Sequence, residues 1–170
     1  MAPLRYLALA AIAMGLLAGA ASARKADRDE PLDIQADGVV GVLDADGTAT
    51  LTGNVIIAQG TMDVRADRAT VTRSNGDFTQ VVFDGKPATL VQVNDDGTSM
   101  KAQAHRIEYH VDSDIVLLIG AVHVEQDRGT LNGERVTYNM TTGELDGGGG
   151  GGRIQMHILP KAKPAAKEGN

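Results

Sequence analysis

The stretch Ile107-Glu108-Tyr109-His110-Val111 alternates apolar and polar side chains, and this alternation decides the fold class. Successive side chains of a β-strand point to opposite faces, so a period of two marks a strand that buries one face. The same alternation recurs in residues 32–36, 122–125 and 154–158. Helical periodicity is hard to find after the first 23 residues. The sequence therefore predicts an all-β protein.

Turn signals separate these stretches. A polar residue followed by glycine favours a tight turn, because glycine adopts positive φ without steric cost. Signals spaced about every 8–12 residues predict short antiparallel strands in a meander, sandwich or solenoid. The expected turns are Asp46-Gly47, Gln59-Gly60, Asn75-Gly76, Asp84-Gly85, Asp96-Gly97, Asn132-Gly133 and Thr142-Gly143.

An internal repeat relates two halves of the chain. The matching segments are 53–59 with 120–126, 66–70 with 133–137 and, one residue out of step, 35–37 with 103–105. A β-bulge or a turn absorbs a slip of one residue. Two similar halves favour a stack in which each unit buries its apolar face against the next.

The ends of the chain differ from its middle. Arg5, the apolar stretch 7–18 and Ala21-Ser22-Ala23 form the pattern of a cleaved secretory signal peptide over residues 1–23. An apolar stretch of about 12 residues is too short to span a bilayer. We therefore expect a secreted chain with a flexible segment 24–30, one domain over 31–160 and a disordered tail over 161–170. The six glycines of residues 147–152 predict a loose loop before the last strand.

Composition argues against several classes of function. The formal net charge is -6 without basic clusters, which argues against nucleic-acid binding, and the absence of cysteine excludes thiol catalysis and zinc–thiolate sites. The four histidines are scattered, so no metal site is expected. They are His105, His110, His123 and His157.

Catalytic and cofactor motifs are also absent. Ser74, Ser99 and Ser113 lie outside any nucleophile elbow, and the glycine run lacks the Lys-Ser/Thr pair of a phosphate loop. Asp112 and Asp114 are expected to be solvated in a turn. We therefore predict no catalytic residues, no cofactor and no metal.

Short motifs follow one another from Leu32 to Pro160 in a specific order. They are Ile34-Gln35-Ala36-Asp37, Gly53-Asn54-Val55, Gln59-Gly60, Ala66-Asp67-Arg68, Gly85-Lys86-Pro87-Ala88 and a strand that begins at Gly152-Arg153 and ends at Pro160. Their order and spacing resemble the OstA-like family of lipopolysaccharide transport proteins. The resemblance implies an antiparallel β-jellyroll, or open twisted β-roll, with an apolar groove along its length.

The resemblance also implies a function and partners. The short length and the secretory signal favour the small periplasmic members of this family, which bridge the inner and outer membranes and shield the acyl chains of lipid A. Expected partners are lipopolysaccharide, further copies of the chain stacked head to tail, and the inner-membrane-anchored and outer-membrane subunits of similar β-roll fold. No nucleic acid is expected among them.

Strand parity selects candidate groove residues. For each of them a closed core is the alternative to an open groove, and the resemblance favours the groove. The candidates are Leu32, Ile34, Val55, Ile57, Val64, Leu90, Ile107, Tyr109, Val111, Val122, Val124, Leu131, Val136 and Tyr138.

The first strand, 32–36, and the last, 153–159, lack most of the charges and prolines that protect edge strands. Strand addition at these edges would join copies end to end. The candidate interface residues are Leu32, Ile34, Ala36, Ile154, Met156 and Ile158. Two alternative interpretations are a closed-core β-solenoid scaffold that binds no lipid and an enzyme built on a β-roll.

Overall fold

A computed structural model describes residues 30–42, 44–93, 97–148 and 152–160. These residues form ten β-strands and no helix, and every paired strand is antiparallel, which confirms the predicted fold class. The strands are β1 (Leu32–Gln35), β2 (Gly38–Gly41), β3 (Gly47–Gln59), β4 (Met62–Ser74), β5 (Asp77–Val93), β6 (Ser99–His110), β7 (Ile115–Gln126), β8 (Gly129–Asn139), β9 (Leu145–Gly147) and β10 (Gln155–Ile158).

One sheet contains all ten strands in the order β1-β3-β4-β5-β6-β7-β8-β10, with β2 also beside β3 and β9 also beside β8. The two ends of this path, β1 and β10, do not pair with each other, so the sheet is open. The predicted short strands are wrong for β3–β8, which are 11 to 17 residues long. Asp84-Gly85 and Asn132-Gly133 lie inside β5 and β8 rather than in turns.

Each pair of neighbouring long strands has a register shift near its middle, and these shifts divide the sheet into two layers. We call them layer A and layer B. Layer A consists of β1, residues 55–66, 88–104 and 122–133 within the long strands, and β10. Layer B consists of β2, residues 47–52, 68–84, 106–119 and 135–139 within the long strands, and β9.

The repeat found in the sequence marks equivalent bends. Gly53 and Asn54 have φ of 75° and 46°, and their counterparts Gly120 and Ala121 have φ of 79° and 48°. A Cβ on Gly53 would lie 2.4 Å from Oδ2 of Asp37, and a Cβ on Gly120 would lie 2.9 Å from Nδ1 of His105. Since Asp37 and His105 occupy matching positions of the repeat, both halves bend by the same packing of a side chain over a glycine.

The bends bring the apolar faces of both layers into one core. Side chains from layer A and layer B belong to a single buried cluster. Directly opposed residues form apolar rows that cross the strands. Two such rows are Ile57-Val64-Leu90-Ala102-Val124-Leu131 in layer A and Leu51-Ala69-Phe83-Ile107-Leu118-Val136 in layer B.

Several predictions concern residues beyond this description. The signal peptide, most of the segment 24–30, the tail 161–170 and residues 149–151 of the glycine run lie outside the described residues. Within the described ranges, no helix has the length and apolarity needed to cross a membrane.

Candidate functional site

The space between the two layers is the candidate site. Ten of the candidate groove residues are buried there: Val55, Ile57, Val64, Leu90, Ile107, Val122, Val124, Leu131, Val136 and Tyr138. Most of them are aliphatic, and aliphatic surfaces offer many weak dispersion contacts without fixed direction. Such an interior matches hydrocarbon chains better than it matches polar ligands.

The other four candidates lie at the margins of this interior. Tyr109 is half-buried, and its hydroxyl donates to Oδ1 of Asp114 at 3.2 Å. Strand parity predicts that Val111 continues the inward face of its strand, but β6 ends at His110 and Val111 lies half-buried in the following turn. Leu32 and Ile34 are exposed on β1, because this edge strand has a neighbour on one side only among the described strands.

The interior also contains large side chains that the sequence did not select. Phe83, Met100 and Leu118 are at most 3% exposed. Phe83 precedes Asp84-Gly85, which predicted a turn instead of a strand. Leu118 belongs to the stretch Ile115-Val116-Leu117-Leu118-Ile119. All of its residues are apolar, so alternation does not show which side chains point inward.

Asp114 does not follow the expectation of a solvated turn residue. It is only 8% exposed, and its Oδ2 accepts a 2.9 Å bond from the hydroxyl of Thr141. Its backbone carbonyl accepts from the amide of Met140 at 2.9 Å. Together with the bond from Tyr109, these contacts fasten the β6–β7 turn to the β8–β9 turn at one margin of the interior.

The two ends of the sheet expose apolar side chains. At one end Leu32, Ile34 and Ala36 are exposed on or beside β1. At the other end Met156 and Ile158 are 63% and 66% exposed, although Met156 stands directly opposite the buried Leu131. Of the candidate interface residues, only Ile154 is partly buried, against the core.

A family model described as "LptA/(LptD N-terminal domain) LPS transport protein" matches residues 33–144. The chain belongs to this family. The resemblance inferred from the short motifs is therefore confirmed.

The LptA/LptD N-terminal domain family supplies relatives of similar length. The lipopolysaccharide export system protein LptA of Escherichia coli (strain K12) is 33% identical, with 94% of this chain and 93% of the relative aligned. The lipopolysaccharide export system protein LptH of Pseudomonas aeruginosa is 30% identical, over 94% of this chain and 99% of the relative.

A solved structure shares the fold. It is the crystal structure of LptH, titled the LptA homologous periplasmic component of the conserved lipopolysaccharide transport device from Pseudomonas aeruginosa. The match has a TM-score of 0.71 and 29% sequence identity, and it covers 79% of this chain and 99% of that chain.

Three of the motifs that carried the family resemblance lie at the bends between layers. Gly53-Asn54, Ala66-Asp67 and Gly85-Lys86-Pro87 all occupy register shifts. These three motifs therefore mark where the strands bend. No group of three or more His, Cys, Asp or Glu side chains in the described part of this family member has the arrangement of a metal site.

The outer face of the sheet contains an exposed ion pair. Nε of Arg106 donates to Oδ1 of Asp84 at 2.7 Å, across paired strands. This hydrogen bond, and then the negative charge of Asp84, raise the pKa of Arg106. Since the side chains are 49% and 37% exposed, water screens most of the attraction.

We expect the substitution Asp84→Asn to lower the free energy of unfolding by less than about 1 kcal/mol, as is usual for exposed ion pairs. Urea denaturation followed by far-UV circular dichroism measures the change. A loss of about 3 kcal/mol would show that this pair, and not the buried interior, maintains the contact between β5 and β6.

Proposed function

We propose that this chain carries lipopolysaccharide through the periplasm and shields its acyl chains between layers A and B. The observation that carries the proposal is the aliphatic interior, which runs across all the long strands and meets exposed apolar side chains at both ends of the sheet. Family membership and the names of the relatives, which are lipopolysaccharide export proteins, support the same function.

The physical need for such a carrier is large. Each CH₂ group exposed to water costs about 0.8 kcal/mol, so an amphiphile with several acyl chains cannot cross an aqueous compartment uncovered. A surface of Val, Ile and Leu covers these chains without directional bonds. Chains held in this way slide along the interior, as transport requires.

Loading requires movement of the layers. The inward side chains are closely buried against one another, so an acyl chain enters only when the layers separate. The bends at Gly53-Asn54 and Gly120-Ala121 connect the two layers. The turns lie at the opposite ends of the strands, and there the two layers separate from each other. The interior is therefore a closed resting form of the groove.

The proposal includes assembly and location. Copies of the chain join head to tail, and the terminal copies contact the inner-membrane-anchored and outer-membrane subunits of similar fold. The chain acts without catalysis or a cofactor, in the periplasm, after removal of a signal peptide over residues 1–23. Residues 31–160 form the transporting domain.

A photo-cross-linking experiment tests lipid binding. A benzophenone amino acid in place of Phe83, which is 3% exposed and points inward, is expected to attach to purified lipopolysaccharide under ultraviolet light. The matched control is the same amino acid in place of Val82, whose side chain points to the outer face because successive strand residues alternate. Gel electrophoresis with immunodetection of lipopolysaccharide measures attachment.

Attachment at position 83 without attachment at position 82 supports an acyl-chain groove. If both variants keep the far-UV circular dichroism spectrum of the unchanged chain and neither attaches, lipid binding is wrong. The closed-core β-solenoid scaffold then becomes the better description of the molecule.

A further inference from the structure

The two ends of the sheet match each other strand for strand. In layer A the edge strands are β1 and β10, each with four residues, and in layer B they are β2, with four residues, and β9, with three. We propose that copies join in one register, with Leu32–Gln35 of the next copy along Gln155–Ile158 and Val39–Gly41 of the next copy along Leu145–Gly147. This proposal rests on the head-to-tail assembly proposed above.

Strand direction permits this joint. Along layer A the path contains eight strands, and every neighbouring pair is antiparallel. The first and last strands of an even series run in opposite directions. A second copy in the same orientation therefore places its β1 antiparallel to β10, and the same reasoning places its β2 antiparallel to β9.

The backbone hydrogen-bonding groups are also in phase. The amide of Val42 donates to the carbonyl of Thr48, and the amide of Gly148 donates to the carbonyl of Arg135. Since residues of an antiparallel strand point their backbone groups alternately to either side, these bonds direct the backbone groups of Val39 and Gly147 away from the sheet. In the proposed register these two residues stand opposite each other and exchange hydrogen bonds.

In layer A, too, the residues that the register pairs point their backbone hydrogen-bonding groups away from the sheet. The amide of Leu159 donates to the carbonyl of Arg128, so the backbone groups of Met156 point away from β8. Hydrogen-bonded and non-hydrogen-bonded pairs alternate along the row from Met156 to Ile34, which crosses seven strand interfaces. The alternation directs the backbone groups of Ile34 outward as well, so Ile34 and Met156 can exchange hydrogen bonds in the proposed register.

Side chains agree with this register in layer A. On the inward face, Ile34 of the next copy stands opposite Met156, and Leu32 stands opposite Ile158; all four side chains are exposed in a single copy. On the outward face, Gln35 stands opposite Gln155, and Asp33 stands opposite His157. A ring N–H of His157 can donate to the carboxylate of Asp33 of the next copy. Within its own copy, the charged groups near His157 are Lys101, Glu125 and Asp127.

Layer B combines large and small residues. The inward residues of β2 are Val39 and Gly41, and those of β9 are Gly147 and Leu145. The register places Val39 of the next copy over Gly147, where Ile154 also packs, and places Leu145 opposite Gly41. A slip of one residue would turn inward side chains outward, and a slip of two would leave half of each edge strand unpaired.

Cysteine cross-linking tests the register, and the chain has no cysteine of its own. The doubly substituted chain Asp33→Cys, His157→Cys is expected to form a ladder of disulfide-linked multimers under mild oxidation, because opposed Cα atoms lie about 4.5 Å apart in a non-hydrogen-bonded pair. The matched control Asp33→Cys, Gln155→Cys separates the cysteines by about 8 Å and is expected to form no ladder. Non-reducing gel electrophoresis measures the result.

Light scattering of the unchanged chain at increasing concentration measures assembly itself, so it separates the test of head-to-tail assembly from the test of the register. Assembly with a ladder only from the control pair, or from neither pair, overturns the register but leaves head-to-tail assembly intact. No assembly at any concentration overturns head-to-tail joining itself. Multimers linked through positions 33 and 157 support both.

A charge reversal supplies an independent test of the pair Asp33–His157. Asp33→Lys is expected to raise the concentration for half-assembly roughly 1.5- to fivefold, the range of exposed charge pairs. Adding His157→Asp to this variant is expected to restore assembly. Both positions are exposed on edge strands, so the variants keep the fold. Weakening by both single substitutions without recovery in the double variant would contradict the pairing.

Discussion

Replacing Gly120 with valine is expected to lower the free energy of unfolding by about 3 kcal/mol or more, which is a large fraction of the total for a small domain. Gly120 has φ of 79°, a region that β-branched residues avoid. A Cβ at this position would lie 2.9 Å from Nδ1 of His105 and 3.2 Å from its Cβ. The substitution therefore strains the backbone and displaces the side chain that packs over the bend. Urea denaturation monitored by far-UV circular dichroism measures the loss.

Gly76→Val is the matched control for this substitution. Gly76 also has positive φ, but a Cβ there would have no neighbour within 4 Å, so only the backbone strain remains. The loss in Gly76→Val is expected to be clearly smaller. His105→Gly is expected to recover part of the stability of Gly120→Val, because it removes the displaced side chain. Equal losses at both glycines would contradict the role of the bend.

Replacing Asp114 with alanine is expected to lower the free energy of unfolding by about 2–4 kcal/mol. The substitution removes the acceptor for the hydroxyls of Tyr109 and Thr141, which lie at the margin of the interior. It also places alanine at φ of 55°, where aspartate and asparagine are tolerated better. Thermal and urea denaturation measure the effect.

Two further substitutions, one at the same residue and one in the same turn, control for this effect. Asp114→Asn keeps an acceptor oxygen and the tolerance of positive φ, so its loss is expected to be about 1 kcal/mol. Asp112→Ala alters an exposed residue of the same turn and is expected to change stability by less than about 0.5 kcal/mol. If Asp112→Ala were as damaging as Asp114→Ala, the fastening of the two turns by Asp114 would not explain the loss.

Alternation along the strands was sufficient to predict the fold class and most of the interior. Residues such as Ile107, Val122 and Val124 stand in clear alternating stretches, and all are buried. The local pattern failed at Asp84-Gly85, because a glycine that bends a strand and a glycine that ends one have the same sequence signal. Whether the glycine bends or ends the strand depends on the pairing of the flanking residues with β4 and β6. The local sequence does not show this pairing.

Polar residues near turns were also hard to assign from sequence. Asp112 and Asp114 have the same type and lie two residues apart, yet only Asp114 is buried. The difference arises from Thr141 and Met140, which approach Asp114 from a turn far along the chain. Likewise, Ile34 stands opposite the buried Ile57, yet Leu32 and Ile34 are exposed because β1 lies at the end of the sheet.

The eight strands across layer A also make each copy a unit of length. Neighbouring strands lie about 4.8 Å apart, so one copy would extend the proposed head-to-tail assembly by about 38 Å. Such an assembly would grow only in steps of this size, and the distance between the two membranes would then fix the whole number of copies that spans it. A change of spacing smaller than one step must be met by tilt, twist or the terminal partners.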